Sequence, residues 1–98
     1  MPSAGGLANV QIAATAASVS LTTGRNVIKG ITLREAAGSP AAAKANIRDG
    51  NGGPILFAYN FLASESGRDW FSPEGIRVNT GIYLQVVAGT VEGAIYVG

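Results

Sequence analysis

Apolar residues along this chain recur with a period of two, and the alternation begins near Asn9. Val10, Ile12 and Ala14 alternate with Gln11 and Ala13; Val19 and Leu21 then alternate with Ser18, Ser20 and Thr22. Successive side chains of a strand point to opposite faces, so alternation built on β-branched residues predicts strands. Thr23-Gly24 closes the segment as a turn. Residues 26–36 form the next predicted strand, with Val27, Ile31 and Leu33 on one parity, and Gly30 in its middle signals a bulge or a close neighbour. Gly38-Ser39-Pro40 interrupts the chain. The Ala-rich residues 41–49 favour helix by intrinsic propensity. Yet Ala43, Ala45 and Ile47 alternate with Lys44, Asn46 and Arg48, and the stretch before Asp49-Gly50 is too short for a stable helix, so a strand is predicted.

The run Asp49-Gly50-Asn51-Gly52-Gly53-Pro54 is the sharpest turn signal in the chain. Residues 55–63 follow as a strand. Ile55, Phe57, Tyr59 and Phe61 share one face; Leu56, Ala58 and Leu62 share the other, which predicts burial on both sides or an interface. After the polar loop 64–67, residues 68–72 carry Trp70 and Phe71, Ser72-Pro73-Glu74-Gly75 reads as a turn, and Ile76 and Val78 begin a short strand. Residues 81–87 and 91–97 complete the pattern, the last expected to tie into a sheet. Seven or eight short strands with regular turn signals and no convincing helix predict an all-β fold, an antiparallel β-sandwich or jelly-roll-like small barrel. The 98 residues fit a single domain. Within it, residues 1–24 read as an N-terminal arm with the first strands, residues 1–6 as a flexible lead-in, and residues 25–98 as the sandwich body.

Composition narrows the chemistry. There is no Cys and no His, so disulfides, thiol catalysis, the commonest transition-metal ligand and the usual general base near neutral pH are absent. A domain this small without those staples points to oligomerisation as a source of stability. Charged residues make up 13% of the chain, about half the roughly 25% of an ordinary soluble domain. A surface that poor in charge is easier to explain if neighbouring subunits cover part of it. The net charge is +1 with no basic cluster, which argues against nucleic acid. No segment approaches the roughly 18 apolar residues of a membrane helix, and the N-terminus lacks the basic region of a signal peptide.

Candidate chemical motifs reduce to simpler readings. Asp49-Gly50-Asn51-Gly52-Gly53 superficially suggests a calcium loop, but the twelfth position is Asn60, not an acid; residues suited to positive φ make it a hairpin turn. No Gly-Lys-Ser/Thr follows, so it is not a phosphate loop. The carboxylate pairs Asp69 with Glu74 and Glu65 with Asp69 lie in or beside polar turns, where solvated charge is the default. No activated nucleophile can be nominated, and the expectation is a protein that is not an enzyme, with no cofactor and no metal.

The aromatics carry the remaining signal. Trp70 and Phe71 are adjacent, so on a strand they point to opposite faces and one of them points away from the domain's own core. With Leu56, Ala58 and Leu62 they make up the predicted interface residues. Together with the tyrosines they also form a candidate platform for stacking on sugars or bases.

The run Trp70-Phe71-Ser72-Pro73-Glu74-Gly75-Ile76, then Gly81-Ile82-Tyr83, then Gly89-Thr90-Val91-Glu92-Gly93-Ala94-Ile95-Tyr96 resembles a pattern carried by small tailed-phage virion proteins. Val27-Ile28-Lys29-Gly30-Ile31 leading to Arg48-Asp49-Gly50 resembles the same group, so the likeness covers most of the chain after residue 25. It implies a β-sandwich that decorates a phage head or joins another part of the particle. The expected partners are the major capsid protein and further copies of the chain, as a trimer or another symmetric cluster, and the expected place is the outer surface of the capsid in the virion. The family brings no catalytic residues. The alternative expectation is a carbohydrate- or receptor-binding module of a head or tail fibre.

Overall fold

A computed structural model describes residues 8–71 and 74–98, and these residues form nine strands and no helix. They are β1 (Ala8–Thr15), β2 (Val19–Ser20), β3 (Asn26–Glu35), β4 (Ala43–Asp49), β5 (Ile55–Phe61), β6 (Ser66–Trp70), β7 (Ile76–Val78), β8 (Ile82–Ala88) and β9 (Val91–Val97). The lead-in at residues 1–6 and the Ser72-Pro73 half of the predicted turn lie outside the described residues.

Two antiparallel sheets face each other, one ordered β1-β9-β3-β6 and the other β2-β8-β4-β5. β6 and β7 lie one after the other along β3 and act as a single interrupted strand. The pairing is nested. The first strand pairs with the last, β2 with β8, β3 with β6 and β7, and β4 with β5. The chain is therefore one long hairpin, with its tip at the Gly-rich turn 50–53, rolled so that it alternates between the sheets. That is the jelly-roll arrangement. Rolling places the C-terminal β9 between β1 and β3.

The core fills the space between the sheets. Ile28, Ile31, Leu33, Ile47, Val78, Ile82, Leu84, Val91 and Ile95 are fully buried, each stabilising by roughly 1.5–3 kcal/mol. The Ala-rich stretch is a strand because its small side chains face large ones, Ala43 opposing Phe61 and Ala45 opposing Tyr59, while Ile47 meets Phe57.

Two bulges correct the face assignments drawn from alternation. In β3 the register steps from Ile28↔Val97 to Gly30↔Tyr96, so that β3 accommodates one extra residue, Lys29, at this point. The extra residue inverts the parity, so Ile28 enters the core beside Ile31 and Leu33 while Val27 is only half-buried. In β5 the register steps from Ile47↔Phe57 to Arg48↔Ile55, leaving Leu56 unpaired. Leu56 consequently packs against the core instead of sharing the outer face with Ala58, and Ile55 turns outward, 49% exposed.

Candidate functional site: an aromatic row on the outer sheet face

The outer face of the first sheet is organised by register. Residues paired across an antiparallel sheet share a face, so Asn9, Tyr96, Gly30 and Trp70 form one transverse row across β1, β9, β3 and β6. Gln11, Ala94, Thr32 and Arg68 form the next. Glu92, Arg34 and Ser66 form a third, tied by an ion pair between Arg34 and Glu92.

Gly30 decides what the first row looks like. A Cβ on Gly30 would lie 2.3 Å from Cε3 of Trp70, 2.6 Å from Cζ3 and 2.8 Å from Cδ2. Cε3 is bonded to both of the other atoms and is the nearest, so that Cβ would point into the face of the indole. Trp70 thus lies flat on the bare backbone of Gly30, in the space a side chain would occupy. It also stacks on Tyr96, with ring centroids 5.1 Å apart and planes 25° apart. Trp70 nonetheless remains 52% exposed. The result is a large aromatic surface held in one orientation by the strand beneath it and the ring beside it, with amides, a hydroxyl and a guanidinium around it.

Phe71 goes the other way. Its backbone N–H donates to the Lys29 carbonyl at 2.8 Å. Its ring stacks on Phe57 at 5.0 Å and packs against the core. This contact and the hydrogen bond from the Tyr59 hydroxyl to Asp69 Oδ2, at 2.7 Å, join edge strand β5 to edge strand β6 and close that side of the sandwich. Burial first, and Asp69 second, push the Tyr59 hydroxyl well above the ordinary tyrosine range.

Of the five predicted interface residues, Trp70, Ala58 and Leu62 lie at the surface, Leu62 at 73% exposure. Leu56 and Phe71 pack inward. Ala58 is on the outer face of the second sheet, opposite Asn46, so the exposed candidates do not form one patch. Tyr96, Gly30 and the flanking Asn9, Gln11, Thr32 and Arg68 were not singled out from the sequence as a group. The signal available was Gly30 in mid-strand; the row itself requires the register.

Asp69, Glu65, Asp49 and Glu35 have structural partners. Asp69 holds Tyr59, and Glu65 Oε1 accepts the Leu62 N–H at 2.8 Å. In the Gly-rich turn, Asp49 accepts the N–H groups of Asn79 and Thr80, which hold its carboxyl below the ordinary value of 3.8. Glu35, buried apart from 6% of its surface, accepts Ser64 N–H through Oε1 and Ala37 N–H through Oε2, each at 2.7 Å. Those donors, Ser64 first, hold it below 4.5 against the opposing effect of burial. Among the described residues, no group of three or more acids is placed to hold a metal, and no helix is long and apolar enough to cross a membrane.

Comparison with protein-family models, with curated proteins and with solved structures finds no match to this chain.

Proposed function

We propose that this protein is a phage virion structural protein, a decoration protein that binds the outer surface of the head shell and stabilises it through apolar contacts with the major capsid protein. The observation that supports this reading is the aromatic row. Protein interfaces draw most of their binding energy from a few large, rigid anchors surrounded by a polar rim. Trp70 is such an anchor. Its orientation is set before binding by Gly30 and Tyr96, so little side-chain entropy is lost on docking, and Asn9, Gln11, Thr32 and Arg68 supply the rim. Repetition over a symmetric shell multiplies modest single contacts into firm attachment.

The test is cosedimentation with undecorated capsids of the virus that carries the gene, together with thermal disruption of those capsids. Bound protein should raise the temperature at which the shells break. The Trp70→Ala variant should bind about 30-fold more weakly, the effect of losing a hot spot of about 2 kcal/mol, while keeping its fold. Equal binding by the variant, or no binding by the native chain, overturns the proposal.

The same indole face supports a second reading, a carbohydrate-binding module, because a sugar ring stacks on a flat, exposed aromatic with amides at its edge. Titration of Trp70 fluorescence with a panel of oligosaccharides separates the two. Saturable quenching without capsid binding favours the carbohydrate module.

A further inference from the structure

We infer that the open edge of β1, with the cleft beside it, is a surface through which two copies of this chain pair. This goes beyond shell binding and does not depend on it.

The sandwich has two lateral sides, and they are built differently. On one, β6 and β7 carry Arg68, Asp69 and Arg77, and the Phe57–Phe71 stack and the Tyr59–Asp69 hydrogen bond span the two sheets. Charge on an edge strand is a standard defence against pairing with another chain, and a side-chain bridge between sheets closes the gap. On the other side, among the described residues, β1 and β2 end their sheets. The first charged residue of the whole chain is Arg25, and no proline falls between Ala8 and Gly24. A cleft of about 490 Å³ runs between the two edges, lined by apolar Val10, Ile12 and Val19 together with polar Gln11, Thr15 and Ser20. Among the described residues, the one defensive feature on β1 is a bulge between Ile12 and Thr15, which leaves Ala8–Ile12 regular.

An open edge presents backbone N–H and C=O groups whose complement is another extended strand. The charge pattern of β1 identifies which strand. When a strand pairs with its own copy about a two-fold axis, its residues face those of an identical strand, and any charge near the axis meets its own image. β1 has no charge to repel. Its inward side chains would continue the apolar layer across the axis, and its outward Asn9 and Gln11 would face amides. Pairing would join the two four-strand paths of the first sheet into one continuous sheet and cover the cleft. This contact is isologous, whereas a cyclic trimer needs a heterologous one.

The experiment measures the mass of the full chain by light scattering and sedimentation equilibrium across a dilution series, in the absence of capsids. The native chain should be a reversible dimer. A variant carrying Asn9→Lys and Gln11→Lys should dissociate at least about tenfold more readily, as should one carrying Asn9→Glu and Gln11→Glu. Mixing the two should restore dimers, each containing one chain of either kind. Both positions are exposed, so each variant should retain the β-sheet circular dichroism and cooperative unfolding of the native chain. Trp70→Ala should dimerise normally, which separates pairing through β1 from docking through the indole face. A native monomer, a trimer indifferent to these substitutions, or failure of the mixed variants to pair overturns the proposal.

Discussion

The indole of Trp70 lies on the bare backbone of Gly30, in the volume that any side chain at that position would fill. Each residue accounts for the other: without Gly30 the indole is displaced, and without Trp70 the glycine leaves backbone open to water. Gly30→Ala should lower stability by about 1–3 kcal/mol through overpacking and change the tryptophan emission as the ring leaves Tyr96. In a Trp70→Ala background the same substitution should be nearly neutral. The two effects should therefore be strongly non-additive in a double-mutant cycle measured by denaturant unfolding.

Ala45 and Ala58 are both alanines on neighbouring strands, with opposite tolerance expected. Ala45 is fully buried and faces Tyr59 and Val86 across β4's two ladders. Ala45→Leu should lower stability by about 1–3 kcal/mol. Ala58 faces outward, and Ala58→Leu should change the unfolding free energy by about 0.5 kcal/mol or less.

Gly93 sits between β1 and β3, paired with Ile12 and Leu33. A Cβ there would lie 2.0 Å from the Thr32 carbonyl oxygen, a backbone atom that cannot rotate away. Gly93→Ala should be at least as damaging as Gly30→Ala, by about 3 kcal/mol, and unlike Gly30→Ala it should not be rescued by Trp70→Ala. Thermal unfolding of the variants reads both effects.

Acid should loosen the fold through Glu35 and Asp49. Both carboxyls are held below their ordinary values in the folded state by the backbone donors they accept. A depressed folded pKa contributes stability that is fully present above the unfolded value and is lost as pH falls through the folded one. Stability should therefore be level from about pH 5 to about pH 8 and decline progressively below the ordinary value of 4.5. Glu35→Gln and Asp49→Asn should each lower the neutral plateau and flatten the acid limb. Urea unfolding at a series of pH values checks the sign.

Alternation and turn chemistry made much of the fold legible. The strands, the tight turn at 50–53 and the all-β class follow from Val10 to Ala14, from Ala43 to Ile47 and from the Gly-rich run. Trp70 and Phe71 also had to diverge, because neighbours on a strand do. Which of them faces water was not legible, because it depends on Phe57 lying across the gap to receive Phe71. Leu56 was misplaced for a related reason: the bulge that turns it inward exists only relative to Ile47 and Arg48 on β4. The clamps of Glu35 and Asp49 were equally hidden, since Ser64 and Asn79 lie 29 and 30 residues away from them along the chain.

By itself, the order of residues determined a period-two chain punctuated by glycine turns, poor in charge and without cysteine or histidine. Only the tertiary structure decided the nested pairing, the parity beyond each bulge and the row that sets Trp70 over Gly30. The physical reason is that strand propensity and turn geometry are local properties of a few consecutive residues. Register is a relation between distant segments, and one unpaired residue, visible only against its partner strand, exchanges inside for outside in everything that follows it.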